Sequence, residues 1–264
     1  MELRPEKVLL HSVVHGDGVP LVALHGAGVD HREIAAALET LPTVARCRRI
    51  YPDLPGMGQS PAGDLGSNNE VVLRLADFIG QLGLGPVLLL GHSYGAYLAQ
   101  GVAARRPDLV LGLALICPLA AQPRDVPAHH VVHQENGAHD VLLPGLRKGF
   151  NDYFVVRTPA TARRYRDHVV PGMELVDERA LARIFSHWEL DSGSCEAPTL
   201  IVAGRSDSTV GYRDALELHR QYPHATLAMV DGAGHALMHE RPGLFAGLLA
   251  DWLDRGFLAA VPKP

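Results

Sequence analysis

Ser93 stands in the sequence context that is best suited to chemistry. The segment GHSYG, in which Gly91 and Gly95 flank Ser93, follows an apolar run at residues 86–90 and leads into a helical run that starts at residue 96. A serine between glycines at a sharp strand-to-helix turn is typical of a nucleophile elbow, whose strained backbone holds the hydroxyl above a sheet. A β-carbon at either glycine would collide with the adjoining strand or helix. The pattern predicts that Ser93 is a nucleophile in acyl transfer.

A carboxylate and an imidazole follow Ser93 in the order that such a nucleophile requires. Asp207 comes after the apolar run of residues 198–203, and His235 comes after the run of residues 225–230 and the sequence Gly-Ala-Gly. Each side chain therefore lies just past the carboxyl end of a predicted strand, where an open α/β sheet gathers its functional groups. The chain order Ser, Asp, His is the one expected after a nucleophile elbow.

These three side chains would divide the work of acyl transfer. Ser93 needs a base, and His235 would take its proton and later return that proton to the leaving group. Asp207 would hold the other ring nitrogen of His235 and stabilise the imidazolium. Asp231 and Asp191 compete with Asp207 for this role. Asp231 is so close to His235 in the chain that shaping the loop is favoured, and Asp191 precedes the strand.

Strands and helices alternate along the chain and would position these residues. Strands are predicted over residues 8–15, 20–24, 46–52, 86–90, 109–116, 198–203 and 225–230. Helices are predicted over residues 30–40, 68–82, 96–104 and 212–221. This alternation predicts an α/β fold with a doubly wound, mostly parallel sheet.

The alternation stops at Pro118. From there to about Cys195 no strand of the same kind appears, and helices are predicted over residues 142–155, 159–168 and 177–188. A structureless insertion of this length would be implausible inside a compact domain. We therefore expect a largely helical insertion between two core strands.

Several motifs together resemble the α/β-hydrolase superfamily over nearly the whole chain. They are LHGAG at residues 24–28, DLPGMGQS at residues 53–60, the GHSYG elbow, the Asp207 loop and GAGH at residues 232–235. Within the superfamily the chain is most similar to single-domain esterases, lactonases and proline-iminopeptidase-like members that carry a helical cap.

The resemblance implies how the chain divides into parts. Residues 1–117 and 196–264 would form the α/β-hydrolase core, and residues 118–195 would form a helical cap over the active site. A peripheral helical subdomain is the alternative for the inserted segment.

The resemblance also assigns the groups around the reacting carbonyl. The backbone amides of Ala27 and Tyr94 would stabilise the tetrahedral intermediate, with Gly28 as a neighbour that lets the substrate approach. His25 would brace this loop rather than react. Further candidates for the substrate pocket are His92, Tyr153, Phe154, Phe185 and Trp188. Core or cap packing accounts at least as well for the last four of these.

These residues predict a serine hydrolase, of the carboxylic-ester class in the first place, that cleaves an ester, thioester, lactone or small amide and needs no cofactor. The same fold and triad would also serve carbon–carbon bond hydrolysis, lyase action or cyclisation, because His235 can act as acid and base without acyl transfer. A non-catalytic small-molecule receptor is a third hypothesis. Ser93 disfavours haloalkane dehalogenases and epoxide hydrolases, which carry aspartate at the nucleophile position.

No metal site is predicted. The sequence places His129, His130, His133 and His139 close together in a proline-containing loop of the inserted segment. They have no cysteine or carboxylate in recognisable ligand spacing, so a solvated loop is favoured over a metal centre.

The composition limits which binding partners and which cellular location we expect. A chain of 264 residues with 47% hydrophobic residues suits one large α/β domain with a sizeable core. A net charge of −5 gives no basic surface for nucleic acid or anionic lipid, so a small-molecule substrate is the expected partner. The first seven residues lack the apolar stretch of a signal peptide, and no run is long enough to span a bilayer. Three cysteines without metal spacing, with Cys117 as a buried thiol, favour a reducing cytoplasm. A monomer or a homodimer is expected.

Overall fold

The structure is a computed structural model and describes residues 10–119, 126–189, 193 and 195–260. Its strands are β1 (Ser12–His15), β2 (Val19–Leu24), β3 (Cys47–Pro52), β4 (Val87–His92), β5 (Val110–Ile116), β6 (His133–Gln134), β7 (Val156–Arg157), β8 (Thr199–Gly204) and β9 (Ala225–Val230). Its helices are α1 (His31–Leu38), α2 (Asn68–Gln81), α3 (Tyr94–Arg105), α4 (Arg147–Tyr153), α5 (Pro159–Arg164), α6 (Val170–Met173), α7 (Glu178–Ile184), α8 (Arg213–Gln221), α9 (Leu237–Glu240) and α10 (Pro242–Ala260).

The main sheet has seven strands in the order β1-β3-β2-β4-β5-β8-β9 across the described residues. β1 runs antiparallel to β3, and the other neighbouring pairs are parallel. The order reverses at β2, because β3 extends the sheet on one side and β4 extends it on the other. Ligand crevices of open α/β sheets form at such a switch point, beyond the carboxyl ends of the strands. The loop after β2 and the turn after β4 meet at this point.

Strand burial explains the apolar runs in the sequence. Every residue of β4 and β8 is buried, as are the last four residues of β2. A strand that is covered on both faces reads as a continuous hydrophobic run rather than an alternating one, as in parallel sheets flanked by helices. The predicted α/β fold with a doubly wound, mostly parallel sheet is confirmed.

At the amino-terminal end the described part of β1 is shorter than its prediction. The strand predicted over residues 8–15 begins at Ser12, and residues 8 and 9 lie outside the described residues. The next helix begins as the sequence predicts, since Asp30 caps α1 by accepting a hydrogen bond from the Arg32 amide at 3.0 Å.

In the inserted segment the first helix is also shorter than its prediction. The predicted helix 142–155 is reduced to α4, because Pro144 opens a 3-10 turn before it and the backbone becomes extended at Phe154. The extended residues 156–157 of β7 then pair in parallel with β6, which is too short to leave a periodic signal in the sequence.

The two later helices predicted in the segment are shorter as α-helices than the sequence predicts. The helix predicted over residues 159–168 is α-helical only to Arg164 and continues as a π-helical turn over residues 165–169. Pro171 lacks the amide hydrogen that would bond to the Asp167 carbonyl, which favours such a rearrangement. The helix predicted over residues 177–188 is α7, capped by Asp177, whose side chain accepts from the Ala180 amide at 3.0 Å.

A second apolar cluster, separate from the main core, joins the inserted segment to the loops of the sheet. Val29, from the loop after β2, and Ala236, from the loop after β9, belong to it. Its other buried members come from the segment: Leu142, Phe150, Phe154, Ala162, Tyr165 and Val169. The segment therefore lies against the loops at the carboxyl ends of the strands.

Polar contacts hold the other end of the segment to the core. The Asp177 amide donates to the Gly56 carbonyl at 2.8 Å, and the Arg183 guanidinium donates to the carbonyls of Leu65 and Gly63 at 2.8 and 2.9 Å. None of the helices in the described ranges combines the length and apolar character that crossing a membrane requires.

Candidate active site

Ser93 occupies a strained turn between β4 and α3. Its φ of +53° and ψ of −116° lie in a region that side-chain-bearing residues rarely adopt. The Ser93 amide is held by the Ile116 carbonyl of the neighbouring strand at 2.9 Å, and the residue remains 7% exposed. This is the backbone geometry that the sequence predicts for a nucleophile elbow.

The two flanking glycines allow this turn. A β-carbon on Gly91 would lie 2.3 Å from the Gly95 carbonyl oxygen, and one on Gly95 would lie 2.4 Å from the Leu24 carbonyl oxygen. Both distances are far inside van der Waals contact with backbone atoms that cannot move aside. A side chain at Gly91 would therefore collide with the helix, and a side chain at Gly95 would collide with the neighbouring strand, as the sequence predicts.

Asp207 and His235 are brought together by the loops that follow β8 and β9. The Nδ1 atom of His235 lies 2.8 Å from Oδ2 of Asp207, and the carboxylate is fully buried. The other oxygen, Oδ1, accepts from the amides of Thr209 and Val210 at 2.9 and 3.0 Å. Burial alone would raise the pKa of Asp207, but His235 and these two amides hold it below its usual value. The arrangement keeps an ionised acceptor on one nitrogen of the imidazole.

The competing carboxylates occupy different surroundings. Asp231 is exposed, and its backbone carbonyl accepts a hydrogen bond from the Arg241 guanidinium at 2.8 Å. Asp191 lies outside the described residues. Of the carboxylates considered, Asp207 is the one whose hydrogen bond to His235 the structure describes.

His92 contacts the His235 loop. Its Nε2 atom lies 3.0 Å from the His235 carbonyl oxygen, and the two rings are 4.9 Å apart. Its Nδ1 atom faces the carboxylate of Glu33 at 3.3 Å. Burial alone would lower the pKa of His92, but the adjacent Glu33 carboxylate raises it.

Cys117 lies close to the candidate base, with its Sγ within 4.8 Å of a ring nitrogen of His92 and one of His235. It follows β5 with a φ of +45°, an unusual conformation that the sequence does not signal. The residue is fully buried, as predicted, and its Sγ lies 3.8 Å from the Gly234 carbonyl oxygen. Burial raises the pKa of the Cys117 thiol well above its usual value, which keeps it protonated.

The candidate oxyanion donors come from the start of α3 and from the loop after β2. Tyr94 begins α3, so its amide has no acceptor within the helix. Ala27 is exposed, and Gly28 has a φ of +75° with open space where a β-carbon would stand. His25 braces the loop as expected, because its Nδ1 is 2.7 Å from the Gly26 carbonyl and its Nε2 accepts from the Leu54 amide at 2.9 Å.

The aromatic pocket candidates fall into two groups. Tyr153 and Phe154 lie beside the site, with the Tyr153 hydroxyl 3.5 Å from Glu33 and the Phe154 ring 6.2 Å from the ring of His239. Phe185 and Trp188 instead make edge-to-face and tilted ring contacts with Tyr94 and Tyr97 of α3. The ring distances are 4.9 Å for Tyr94–Phe185, 5.9 Å for Tyr94–Trp188 and 5.2 Å for Tyr97–Trp188. These contacts describe packing of the residues that follow α7 against α3.

Glu240 and Glu33 are two buried carboxylates that the sequence reasoning missed as site residues. Glu240 accepts from the Gly234 amide at 2.6 Å and from the amides of Val155 and Val156 at 2.8 and 3.2 Å. It thereby joins the histidine loop to the inserted segment. Glu33 lies in the first turn of α1, one residue before Ile34 on the buried side. A glutamate after a helix cap is usually exposed, so only its closeness to LHGAG in the chain could have drawn attention to it.

Two groups of side chains in the described ranges have metal-ligand types within 4.8 Å of one another: His92, Cys117 and His235, and His11, His31 and Asp53. In the first group, Nδ1 of His235 is committed to Asp207 and Nε2 of His92 to the His235 carbonyl. In the second group, hydrogen bonds of 2.8 and 2.7 Å already join each imidazole to the carboxylate. Both groups fit hydrogen-bonded structure better than ligation of a metal.

The four histidines of the proline-containing loop have different surroundings. His129 Nδ1 lies 2.9 Å from Ser208 Oγ, and His130 Nε2 lies 3.4 Å from Ser206 Oγ. His133 is exposed and 3.8 Å from Glu135, whereas His139 Nε2 lies 2.8 Å from Asn151. His133 fits the predicted solvated loop, whereas His129 and His130 contact the loop that carries Asp207.

Known proteins are similar to this chain over almost its whole length. A family model described as "Alpha/beta hydrolase family" matches residues 21–248. The (E)-2-((N-methylformamido)methylene)succinate hydrolase of Acinetobacter baylyi is 24% identical, over 92% of this chain and 94% of that protein. The 2-hydroxymuconate semialdehyde hydrolase of a Pseudomonas strain is 26% identical, over 93% and 90%. The crystal structure of an alpha/beta superfamily hydrolase from Oenococcus oeni has a TM-score of 0.88 and 25% identity, over 97% of this chain and 100% of that one.

Proposed function

The chain belongs to the alpha/beta hydrolase family, and from that premise we propose that it is a serine hydrolase acting on an ester, thioester, lactone or small amide. The observation that carries the proposal is the 2.8 Å contact between His235 and the buried Asp207, together with the strained elbow of Ser93. A nucleophile, a base and a group that orients the base are the parts that acyl transfer requires.

In the proposed reaction Ser93 Oγ attacks the substrate carbonyl and His235 Nε2 takes the hydroxyl proton. The oxygen of the tetrahedral intermediate accepts hydrogen bonds from the amides of Ala27 and Tyr94. The intermediate collapses when His235 returns the proton to the leaving group, which leaves an acyl group on Ser93. Water, deprotonated by His235, then attacks the acyl carbon and regenerates the serine.

Asp207 acts on this cycle through the imidazole ring of His235. Its ionised carboxylate accepts from Nδ1–H, so the lone pair of the neutral imidazole is on Nε2, the nitrogen that would take the proton from Ser93. The same negative charge stabilises the imidazolium that forms in each transition state. The two amides bound to Oδ1 keep the carboxylate from rotating away.

We further propose that residues 118–195 serve as a cap that shapes the substrate pocket. The contacts of this segment with Val29 and Ala236 support the idea, because those residues flank the candidate oxyanion loop and His235. The three cysteines are free and buried, which is consistent with a cytoplasmic enzyme of small-molecule metabolism, either monomeric or homodimeric.

A fluorophosphonate probe tests the proposal directly, since it reacts with an activated serine. Wild-type protein should be labelled and the Ser93→Ala variant should not. The exposed Ser186 provides a matched control, and Ser186→Ala should retain full labelling. Undiminished labelling of Ser93→Ala would contradict the assignment of the nucleophile. Substrate turnover that disappears with Ser93→Ala would also argue against a receptor without activity.

Carbon–carbon bond hydrolysis is the second candidate, favoured by the similarity to 2-hydroxymuconate semialdehyde hydrolase. In that case His235 would move protons on a carbonyl substrate, and activated esters would not give a stable acyl-enzyme. A pre-steady-state burst with p-nitrophenyl esters would support the esterase chemistry. No burst, together with His235-dependent cleavage of a vinylogous diketone, would support the second candidate.

A further inference from the structure

Glu33 is a buried carboxylate at the side of the candidate active site. It is 0% exposed and faces polar groups from three other parts of the fold. Its Oε1 atom lies 3.3 Å from Nδ1 of His92, 3.4 Å from Nε2 of His239 and 3.5 Å from the hydroxyl of Tyr153. We call these four residues the Glu33 cluster.

The Glu33 cluster is incompletely hydrogen-bonded. Hydrogen bonds to an ionised carboxylate are normally about 2.7–2.9 Å long, and all three separations from Oε1 exceed that range. Among the described residues, Glu33 Oε2, His92 Nδ1 and both ring nitrogens of His239 are buried without a hydrogen-bond partner. A buried polar group without a partner costs about 1–3 kcal/mol, and a charged one costs more.

Asp53 shows what a completed buried carboxylate looks like in the same protein. It accepts from the ring nitrogens of His31 and His11 at 2.7 and 2.8 Å, and from the amides of His31 and Gln59 at 2.9 Å each. Both of its oxygens are therefore engaged at short distance. The Glu33 cluster has a comparable set of donors, but its separations are longer by several tenths of an ångström.

The Glu33 cluster adjoins the candidate nucleophile through His92, which directly precedes Ser93 in the chain. A β-carbon built on Gly26 would lie 3.5 Å from Nδ1 of His92 and 3.5 Å from Cβ of Ser93. Gly26 therefore lies beside both the His92 ring and Ser93 and places no side chain there. On the far side, the Phe154 ring borders His239 at 6.2 Å between centroids.

We propose that the Glu33 cluster is a substrate subsite that receives a hydroxyl group carried close to the scissile carbonyl. A hydroxyl donates one hydrogen bond and accepts others, so it would donate to Oε2 of Glu33 and accept from the N–H of His239 or the hydroxyl of Tyr153. An ammonium group shares the donor chemistry but cannot accept. The inference rests on the proposed serine hydrolase function and specifies its substrate class.

The ionisation of the cluster agrees with this assignment. Burial alone would raise the pKa of Glu33, but His92 and His239 together hold it well below its usual value. The carboxylate is then an acceptor without a proton of its own to donate. Burial and the nearby Glu33 carboxylate raise the pKa of Tyr153 well above its usual value, so its hydroxyl remains a donor.

Paired p-nitrophenyl esters test the subsite. Straight-chain acyl esters are compared with the same esters carrying a hydroxyl, or an amino group, at the second, third or fourth carbon. A site built around a hydroxyl rejects the analogue that lacks it, so at least one hydroxyacyl ester should have a kcat/KM about tenfold or more above its parent. In Glu33→Gln this ratio should fall toward one, and in Tyr153→Phe it should fall by a smaller factor. The exposed Glu217 gives the control variant Glu217→Gln, which should keep the wild-type ratio.

A binding measurement covers the case in which Glu33→Gln does not fold. The Ser93→Ala protein should gain thermal stability with the N-methylamide of at least one of these hydroxy acids and gain less with the amide that lacks the hydroxyl. Equal kcat/KM values for all parent and substituted esters, or equal thermal shifts, would overturn the subsite while leaving the hydrolase intact. A preference for the amino esters alone would assign the cluster to ammonium and overturn the hydroxyl assignment. Absence of turnover of every ester would count against the proposed function itself, and the thermal shifts would still decide the subsite.

Discussion

Glu240 accepts a hydrogen bond from the Gly234 amide at 2.6 Å, one residue before His235. The other oxygen of the same carboxylate accepts from the amides of Val155 and Val156 in the inserted segment. The position of the candidate base is therefore set from two sides. Asp207 fixes the ring, and Glu240 fixes the backbone that carries it.

Replacing Glu240 by glutamine should disturb both activity and stability. The amide nitrogen of glutamine cannot accept from a backbone N–H, so at least one buried donor would lose its partner. We expect a loss of about 1–3 kcal/mol in the free energy of unfolding. Displacement of His235 should also lower kcat/KM by up to about 100-fold. Urea denaturation and ester kinetics measure the two effects. Glu217→Gln on the surface of α8 should change stability by less than about 0.5 kcal/mol, and similar losses in both variants would contradict the role of Glu240.

The acid of the candidate triad can be identified by comparing two aspartates. Asp207→Asn keeps the shape of the side chain but would favour the wrong tautomer of His235, so kcat should fall by about 10⁴-fold. Asp231→Asn, at an exposed position on the same loop as His235, should leave kcat within a few-fold of the wild type. Steady-state kinetics with an activated ester, and circular dichroism to confirm folding, give the comparison. A larger loss for Asp231→Asn would assign the acid to that residue instead.

Asp53 should make stability depend on pH in the acid range. Burial alone would raise its pKa, but hydrogen bonds from His31 and from the Gln59 amide hold the folded-state pKa well below the usual value. A carboxyl with a lowered folded pKa binds fewer protons in the folded state. Its stabilising contribution is therefore fully present above about pH 4, the unfolded value, and is lost as pH falls toward the folded pKa.

The Asp53→Asn variant isolates this contribution. It should be less stable than the wild type by about 1–3 kcal/mol or more near pH 7, and the difference should shrink as pH falls below about 4. Denaturant midpoints measured between pH 7 and pH 2 would show the convergence. Asp64→Asn, at an exposed site in the following loop, should run parallel to the wild type. A constant gap between Asp53→Asn and the wild type across the range would contradict the lowered pKa.

Gly95 and Gly80 make a matched pair of glycines in helices. Gly95→Ala would bring a β-carbon to 2.4 Å from the Leu24 carbonyl oxygen, whereas a β-carbon on Gly80 would meet nothing within 4 Å. We expect Gly95→Ala to destabilise the fold by about 3 kcal/mol or more and to abolish labelling of Ser93. Gly80→Ala, inside α2, should stabilise it by about 0.5–1 kcal/mol because glycine is a poor helix residue. Thermal or urea unfolding measures both changes, and a neutral Gly95→Ala would show that the elbow can relax.

Local sequence was sufficient where one short segment determines the geometry. The strain at Ser93 follows from two glycines beside it, and the buried strands follow from uninterrupted apolar runs such as β4. The loop positions of Asp207 and His235 follow from the strands that precede them. These features depend on neighbours in the chain, so the printed sequence contains them.

The remaining features depend on contacts between distant segments. Glu33 looks like an ordinary first-turn helix residue until His92 and His239, from two other elements, are placed around it. Phe185 carries no sign that it packs on Tyr94 of α3 rather than in a pocket. The π-helical turn after α5 depends on how Pro171 fits against the core, where its carbonyl accepts from Arg32 at 2.9 Å.

The apolar cluster that joins Val29 and Ala236 to the inserted helices limits how this enzyme can be re-engineered. Exchanging the insertion for that of another hydrolase is an attractive route to new specificity, because its boundaries fall between two strands. Here the exchange would leave Val29, Ala236 and Glu240 facing side chains that they were not matched to. The unit that can be transplanted is therefore the helical segment together with these three contact positions, and libraries that vary the segment should vary them jointly.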